Sequence, residues 1–165
     1  MKTFLFMIFM TLPLALCSKD NDEPKQDFVP VTLDLSGLNI QEDDTSFTVN
    51  GFKFSNVGSF SQDYSTLDNN NEIINFNGLT IWYDGTDLHY IELLLDNIEG
   101  ISKITVKVFN NGTTTLVTIY NGNDIVEENQ APYRVNDVVF DVKNKVIDKL
   151  RISSAEGAAI SIKLE

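Results

Sequence analysis

Residues present once carry most of the chemistry open to this chain of 165 residues: Cys17, His89 and Trp82. A lone thiol forms no intrachain disulfide and no Cys-rich zinc site. A lone imidazole makes no His-rich metal centre. It leaves a Ser-His-Asp triad one base, His89, which no sequence pattern pairs with a nucleophile. Asp84, Asp87 and Glu92 could form an acid pair, as could many others among 24 acidic residues, and only spatial separation makes such a pair catalytic. No sequence-readable catalytic signature is present, so the expectation is a non-enzyme. Trp82 suits a ligand best. In Ile81-Trp82-Tyr83 it points away from a core built by Leu79, Ile81 and Tyr83. An indole so placed matches the C–H face of a sugar ring. Tyr90 and Glu92 share a face of the next strand, beside Trp82 if 84–87 makes a turn, and offer hydrogen bonds to hydroxyls. The alternative buries Trp82 and exposes Tyr83.

The run Asp68-Asn69-Asn70-Asn71-Glu72 closes the longest polar interruption, 55–72, which also holds Phe60 and Tyr64 and reads as a candidate functional loop, with a short strand around 58–60 as a further reading. Asp68, Asn70 and Glu72 present hard oxygens suited to a structural calcium, without the spacing or Gly of an EF-hand. A solvated Asn-rich turn is the alternative. No other cofactor is indicated. A second candidate loop, 121–136, holds Tyr133 and Arg134, types favoured at binding rims, while Pro132 could simply stiffen a crossing between sheets. Asn111-Gly112-Thr113 matches an N-glycosylation sequon, though a turn role suffices for it. The formal charge of −12 argues against a duplex nucleic-acid binder, which needs clustered Lys and Arg.

The N-terminus is a targeting segment. Lys2 precedes an uncharged stretch, 4–16, interrupted only by Thr11 and Pro13. It is shorter than the about 20 residues of a membrane-spanning helix and fits a secretory signal. Leu14-Ala15-Leu16 before Cys17 resembles a bacterial lipoprotein signal, in which the thiol becomes the lipid attachment point after cleavage. Leu16 departs from it, standing where such signals usually carry a small residue. Ser18-Lys19-Asp20-Asn21-Asp22-Glu23 is similar to the charged tether of Bacteroidetes surface lipoproteins. The resemblance implies a signal peptide at 1–16, a lipid-anchored acidic tether at 17–30, and lipidation at Cys17. It also implies an outer-membrane, cell-surface location, with the membrane held through lipid alone because an acidic body repels anionic headgroups. Ordinary cleavage at Ala15-Leu16-Cys17 is the alternative.

The elements that must position these residues follow from a period of two between 31 and 165. Val31, Leu33 and Leu35 alternate with polar residues, as do Ile104, Val106 and Val108, then Val138, Phe140 and Val142, then Ile160, Ile162 and Leu164. Asn-Gly pairs at 50, 77, 111 and 121, with Asp84-Gly85, supply turns. Two of them, Asn50-Gly51 and Asn111-Gly112, read as hairpins. Crossover helices are lacking, so the expected fold is all-β, an antiparallel β-sandwich with jelly-roll topology. The stretch 101–165 resembles the second half of galactose-binding-like jelly rolls, with Ile104–Val108 a core strand and Leu116–Tyr120 its neighbour. Many members of that fold are carbohydrate-binding modules. The resemblance therefore implies a non-catalytic surface module for a polysaccharide or oligosaccharide. A protein-interaction or structural subunit of an envelope complex is the alternative.

Overall fold

The computed structural model describes residues 28–82, 89–96, 98–112 and 114–165. Cys17, the signal peptide, most of the tether, Tyr83, Asp84, Gly85 and Asp87 lie outside the described residues. The described elements are twelve strands: β1 (Val31–Asp34), β2 (Ser46–Val49), β3 (Phe52–Val57), β4 (Phe60–Leu67), β5 (Ile73–Trp82), β6 (Tyr90–Leu94), β7 (Lys103–Asn110), β8 (Thr115–Asn121), β9 (Asp124–Gln130), β10 (Arg134–Asp141), β11 (Lys149–Ser154) and β12 (Glu156–Leu164). They form two six-stranded antiparallel sheets. The front sheet runs β10-β7-β12-β5-β4, with β1 also on β12, and the back sheet runs β2-β3-β6-β11-β8-β9. From β5 onward the chain builds β5-β12-β7-β10 against β6-β11-β8-β9, which is the jelly roll of two Greek keys.

The alternation produces the sandwich directly. Ile104, Val106 and Val108 are buried while Lys103 and Lys107 on the same strand are exposed, so β7 has one dry face and one wet face. Phe140, Ile152, Ile162 and Leu164 are wholly buried in the shared core with Phe54, Leu79 and Ile81. Ile160 breaks the pattern. A bulge between Ala159 and Ser161 makes it the extra residue, and it is half-buried. Its role is to let Gly157 and Ala159 on one side of the bulge, and Ile162 and Leu164 on the other, all turn inward.

Several expectations about connections are corrected. Asn50-Gly51 does close the β2–β3 hairpin, both residues at positive φ (50° and 85°). Asn111-Gly112 does not close a hairpin: it carries the chain from β7 in the front sheet to β8 in the back sheet, so Leu116–Tyr120 is not the neighbour of Ile104–Val108. Asn77-Gly78 lies inside β5. The stretch 55–72 is the end of β3, all of β4 and a tight turn, and 121–136 contains β9 and the start of β10. Each reads as a loop because β4 and β9 carry polar residues on both faces, as edge strands can.

Candidate functional site

The site begins with a strand that runs past one of its partners. β5 pairs with β4 from Ile73 to Thr80, but with β12 only from Leu79 to Trp82. Gly78 sits just before the β12 pairing starts, where an added Cβ would lie 3.0 Å from the Ala159 carbonyl oxygen. From there the β4–β5 hairpin crosses the outer face of the front sheet as an arm. Tyr64 and Phe76 on the arm stack at 5.2 Å, and both rings rest on Phe109 of β7, at 5.3 and 5.6 Å. The arm tip reaches β10, two strands beyond β12. Arg134 Nη1 donates to the Asp68 carbonyl, and Asn69 Nδ2 donates to Asn136 Oδ1 at 3.2 Å.

Between the arm and the Trp82 end of the sheet lies a cavity of about 230 Å³. Phe60 and Trp82 line it from the β4–β5 side, and Gln62 and Tyr64 from the arm. Phe109, Asn111 and Glu156 line it from β7, its exit and β12. Gly157 of β12 also lines it. At Gly157 a Cβ would sit 2.6 Å from the Phe109 carbonyl oxygen.

The polar groups in this notch are organised. Thr80 Oγ1 donates to Gln62 Oε1 at 3.2 Å, so the 2.7 Å bond between Tyr64 and Thr80 has the phenol as donor. Burial, and after it the nearby Glu156 carboxylate, push the Tyr64 phenol pKa up, so the proton stays on the ring oxygen. Asn111 Nδ2 donates to Glu156 Oε1 at 2.9 Å, and the Asn111 amide donates to the Glu156 carbonyl at 3.1 Å. One carboxylate, one carboxamide and a relay of hydroxyls therefore face an aromatic-lined space.

Trp82 faces outward, as its place after buried Ile81 predicts, and 39% of its surface is exposed. What sequence reasoning missed is its support. The buried His89 ring meets the indole edge-on at 5.7 Å, and the His89 amide donates to the Trp82 carbonyl at 3.1 Å. His89 fits only because residue 58 is Gly, since a Cβ there would lie 2.4 Å from the imidazole. The one histidine is a buttress for the one tryptophan. Phe109 was missed as a site residue, whereas Phe60 and Tyr64 stand out as aromatics of the stretch 55–72. Phe109 is far from them in sequence, and only the arm brings the three together.

Tyr90 and Glu92 do not join Trp82, which corrects the expected single site. β5 and β6 belong to different sheets, so the two residues lie on the outer face of the back sheet, across the sandwich. There Arg151 Nε and Nη2 donate to Glu92 Oε2 at 3.0 and 2.8 Å, and the guanidinium lies 4.2 Å over Tyr90 and 5.3 Å over Tyr120. Both residues are engaged in tying β6, β11 and β8 together.

Asp68, Asn70 and Glu72 form the turn at the arm tip. Asp68 Oδ1 accepts the amides of Asn70 and Glu72 at 2.8 and 2.9 Å. The Glu72 amide, chief among these donors, holds the Asp68 carboxyl below its usual range. Among the described residues no group of three or more His, Cys, Asp or Glu side chains is placed to hold a metal. The observed role of the run is to close the hairpin and dock it on β10.

No family model matches the chain, and no curated protein matches it. Among solved structures, a family 29 carbohydrate-binding module from Piromyces equi is similar, with a TM-score of 0.44 and 11% identity over 84% of this chain and 93% of that one. An alanine mutant of a second family 29 module is similar with a TM-score of 0.39 and 12% identity, over 84% of this chain and 83% of that one. At that distance no residue of the notch is carried over from either protein, and the notch stands on its own geometry.

Proposed function

We propose that this chain is a non-catalytic binding domain for neutral carbohydrate, with its site in the notch beside Trp82. The observation that carries the reading is an outward-facing indole, held by buried His89, over a cavity where hydroxyl, carboxamide and carboxylate groups converge. Aromatic faces take the C–H side of a pyranose ring, and the polar groups take its hydroxyls. Glu156 accepts hydroxyl protons and repels anionic ligands, and the net charge of −12 adds to that repulsion. Glu156 is the one carboxylate lining the notch among the described residues, whereas glycoside hydrolysis calls for two flanking the bond. The sole Trp supplies the test. A panel of neutral gluco-, xylo-, manno- and galacto-oligosaccharides is titrated against the chain while its indole emission is followed. A saturable shift with at least one series is expected, and flat emission together with no heat of binding for every series refutes the reading.

The same proposal includes a lipid anchor at Cys17, placing the domain on the outer membrane at the cell surface. It is supported by the apolar stretch 4–16, by the single Cys at its end and by the acidic tether behind it. Cys17→Ser is expected to move the protein out of the membrane fraction or to stop its maturation. Unchanged fractionation and processing would rule the anchor out.

A further inference from the structure

Resting on the carbohydrate reading of the notch, we infer that its ligand is an extended glycan several rings long, laid across the strands, with Tyr133 as a second stacking residue at the far side. An unbroken line of contacts joins the two aromatics along one end of the front sheet. Trp82 is the ladder partner of Glu156, and Glu156 is bonded to Asn111 through main chain and side chain. The next residue, Gly112, lies against Tyr133, where a Cβ would stand 3.7 Å from the ring. The line crosses from β5 over β12 and β7 to the start of β10. Three interstrand steps make about 14 Å, the reach of a short oligosaccharide and more than a single ring covers.

The main chain that carries Tyr133 is held in place. It is 58% exposed, yet its carbonyl accepts Asn136 Nδ2 at 2.8 Å, and the Arg134 guanidinium lies 5.6 Å from its ring centre. Arg134 has a φ of 74°, a conformation that side-chain-bearing residues rarely adopt. It is held there by ladder pairing with Asn110 and by the bond from its side chain to the arm tip. Tyr133 also borders a second hollow, shared with Thr66 and Leu67 of the arm, so the arm flanks the path at both aromatics. A fixed, exposed ring at each end of a row bearing a carboxylate and a carboxamide is suited to a chain of sugar rings.

The experiment compares the full chain with Trp82→Ala and Tyr133→Ala, using mono- to hexasaccharides of whichever neutral series binds. Wild-type affinity is expected to rise with length up to about the tetrasaccharide. Tyr133→Ala, at an exposed position, is expected to weaken tetra- to hexasaccharides about tenfold and to leave the disaccharide unchanged, while Trp82→Ala removes binding at every length. If Tyr133→Ala leaves hexasaccharide affinity unchanged while Trp82→Ala abolishes it, the extended path is overturned and the notch stands. If no series binds the wild-type chain at all, the carbohydrate reading falls and takes the extended path with it.

Discussion

Replacing Trp82 by Ala separates affinity from stability, and the two effects differ in size. Truncating a fully buried Trp costs about 3–5 kcal/mol. Trp82 keeps 39% of its surface in water and sits at the end of its strand. Its cost is therefore about 1–2 kcal/mol, set against a domain stability of roughly 5–15 kcal/mol. The fold survives, and the melting temperature falls by roughly 3–10 °C. Affinity suffers more, because a central aromatic anchor contributes about 2 kcal/mol or more, a factor of about thirty. A ligand bound at about 1 mM then drops out of measurement, and one bound at about 1 μM weakens to about 30 μM. Isothermal titration with the glycan that shifts wild-type emission, run beside a circular-dichroism melt, reads both quantities. A variant that melts cooperatively and still binds within about twofold of the parent would show that the indole is not part of the site. A variant that is unfolded at room temperature would show that Trp82 is a core residue and that the stability reasoning is wrong.

Deleting residues 160–165 removes wholly buried Ile162 and Leu164, each worth about 1.5–3 kcal/mol, and strips β1 of its ladder partner. No cooperative melt is expected, and a truncated chain with the full-length melting temperature would contradict the core assignment. Gly157→Ala drives a Cβ to 2.6 Å from the Phe109 carbonyl oxygen and 2.7 Å from Ser154 Oγ, which is bonded to Thr115 at 2.7 Å. A loss of about 1–3 kcal/mol is expected in denaturant titration, and an unchanged midpoint would show that β12 has slack. Acid should loosen the fold. The Asp68 carboxyl is depressed mainly by the Glu72 amide, Glu127 mainly by Lys145, and Glu165 mainly by Lys163 and then Lys103. Depressed folded-state values give stability that is present above the ordinary carboxylate range near about 4 and is lost as pH falls through the depressed values. The melting temperature should therefore fall below about pH 4, and Asp68→Asn should flatten part of that limb. An acid limb unaltered in that variant would exclude Asp68 as a contributor.

The strands and their inward faces were legible because burial imposes a period of two, and Phe140, Ile152, Ile162 and Leu164 all lie where that period puts them. Connections were less legible. Asn111-Gly112 and Asn50-Gly51 look alike because both supply positive φ, but φ at the turn does not decide whether the next strand pairs beside the last or crosses to the other sheet. The crossing is marked instead by buried polar residues at the strand ends: Asn110, which donates to the Ala131 carbonyl, and Thr115, bonded to Ser154 beside it in the back sheet. Tyr90 was misplaced for the same reason, since β5 to β6 is also a crossing. The outward turn of Trp82 was readable from Ile81 alone. Its partners were not, because a strand as polar as β4 announces neither its pairing nor the packing of Tyr64 and Phe76 on Phe109.

β12 takes β5 beside its Glu156 end and β1 beside its Leu164 end, so the chain enters the domain at one tip of this strand while the notch opens at the other. Over nine residues that is a separation of about 27 Å. The geometry sets how the domain bears mechanical load. A pull between a captured ligand and the N-terminus drags β1 along its own axis against β12, because Val31 enters opposite Leu164 and Asp34 ends opposite Ser161. The hydrogen bonds of that ladder are then strained together, in shear, and none can be peeled open ahead of the rest. An N-terminal attachment thus points the notch outward, and tension entering at the notch passes along β12 to its ladder with β1.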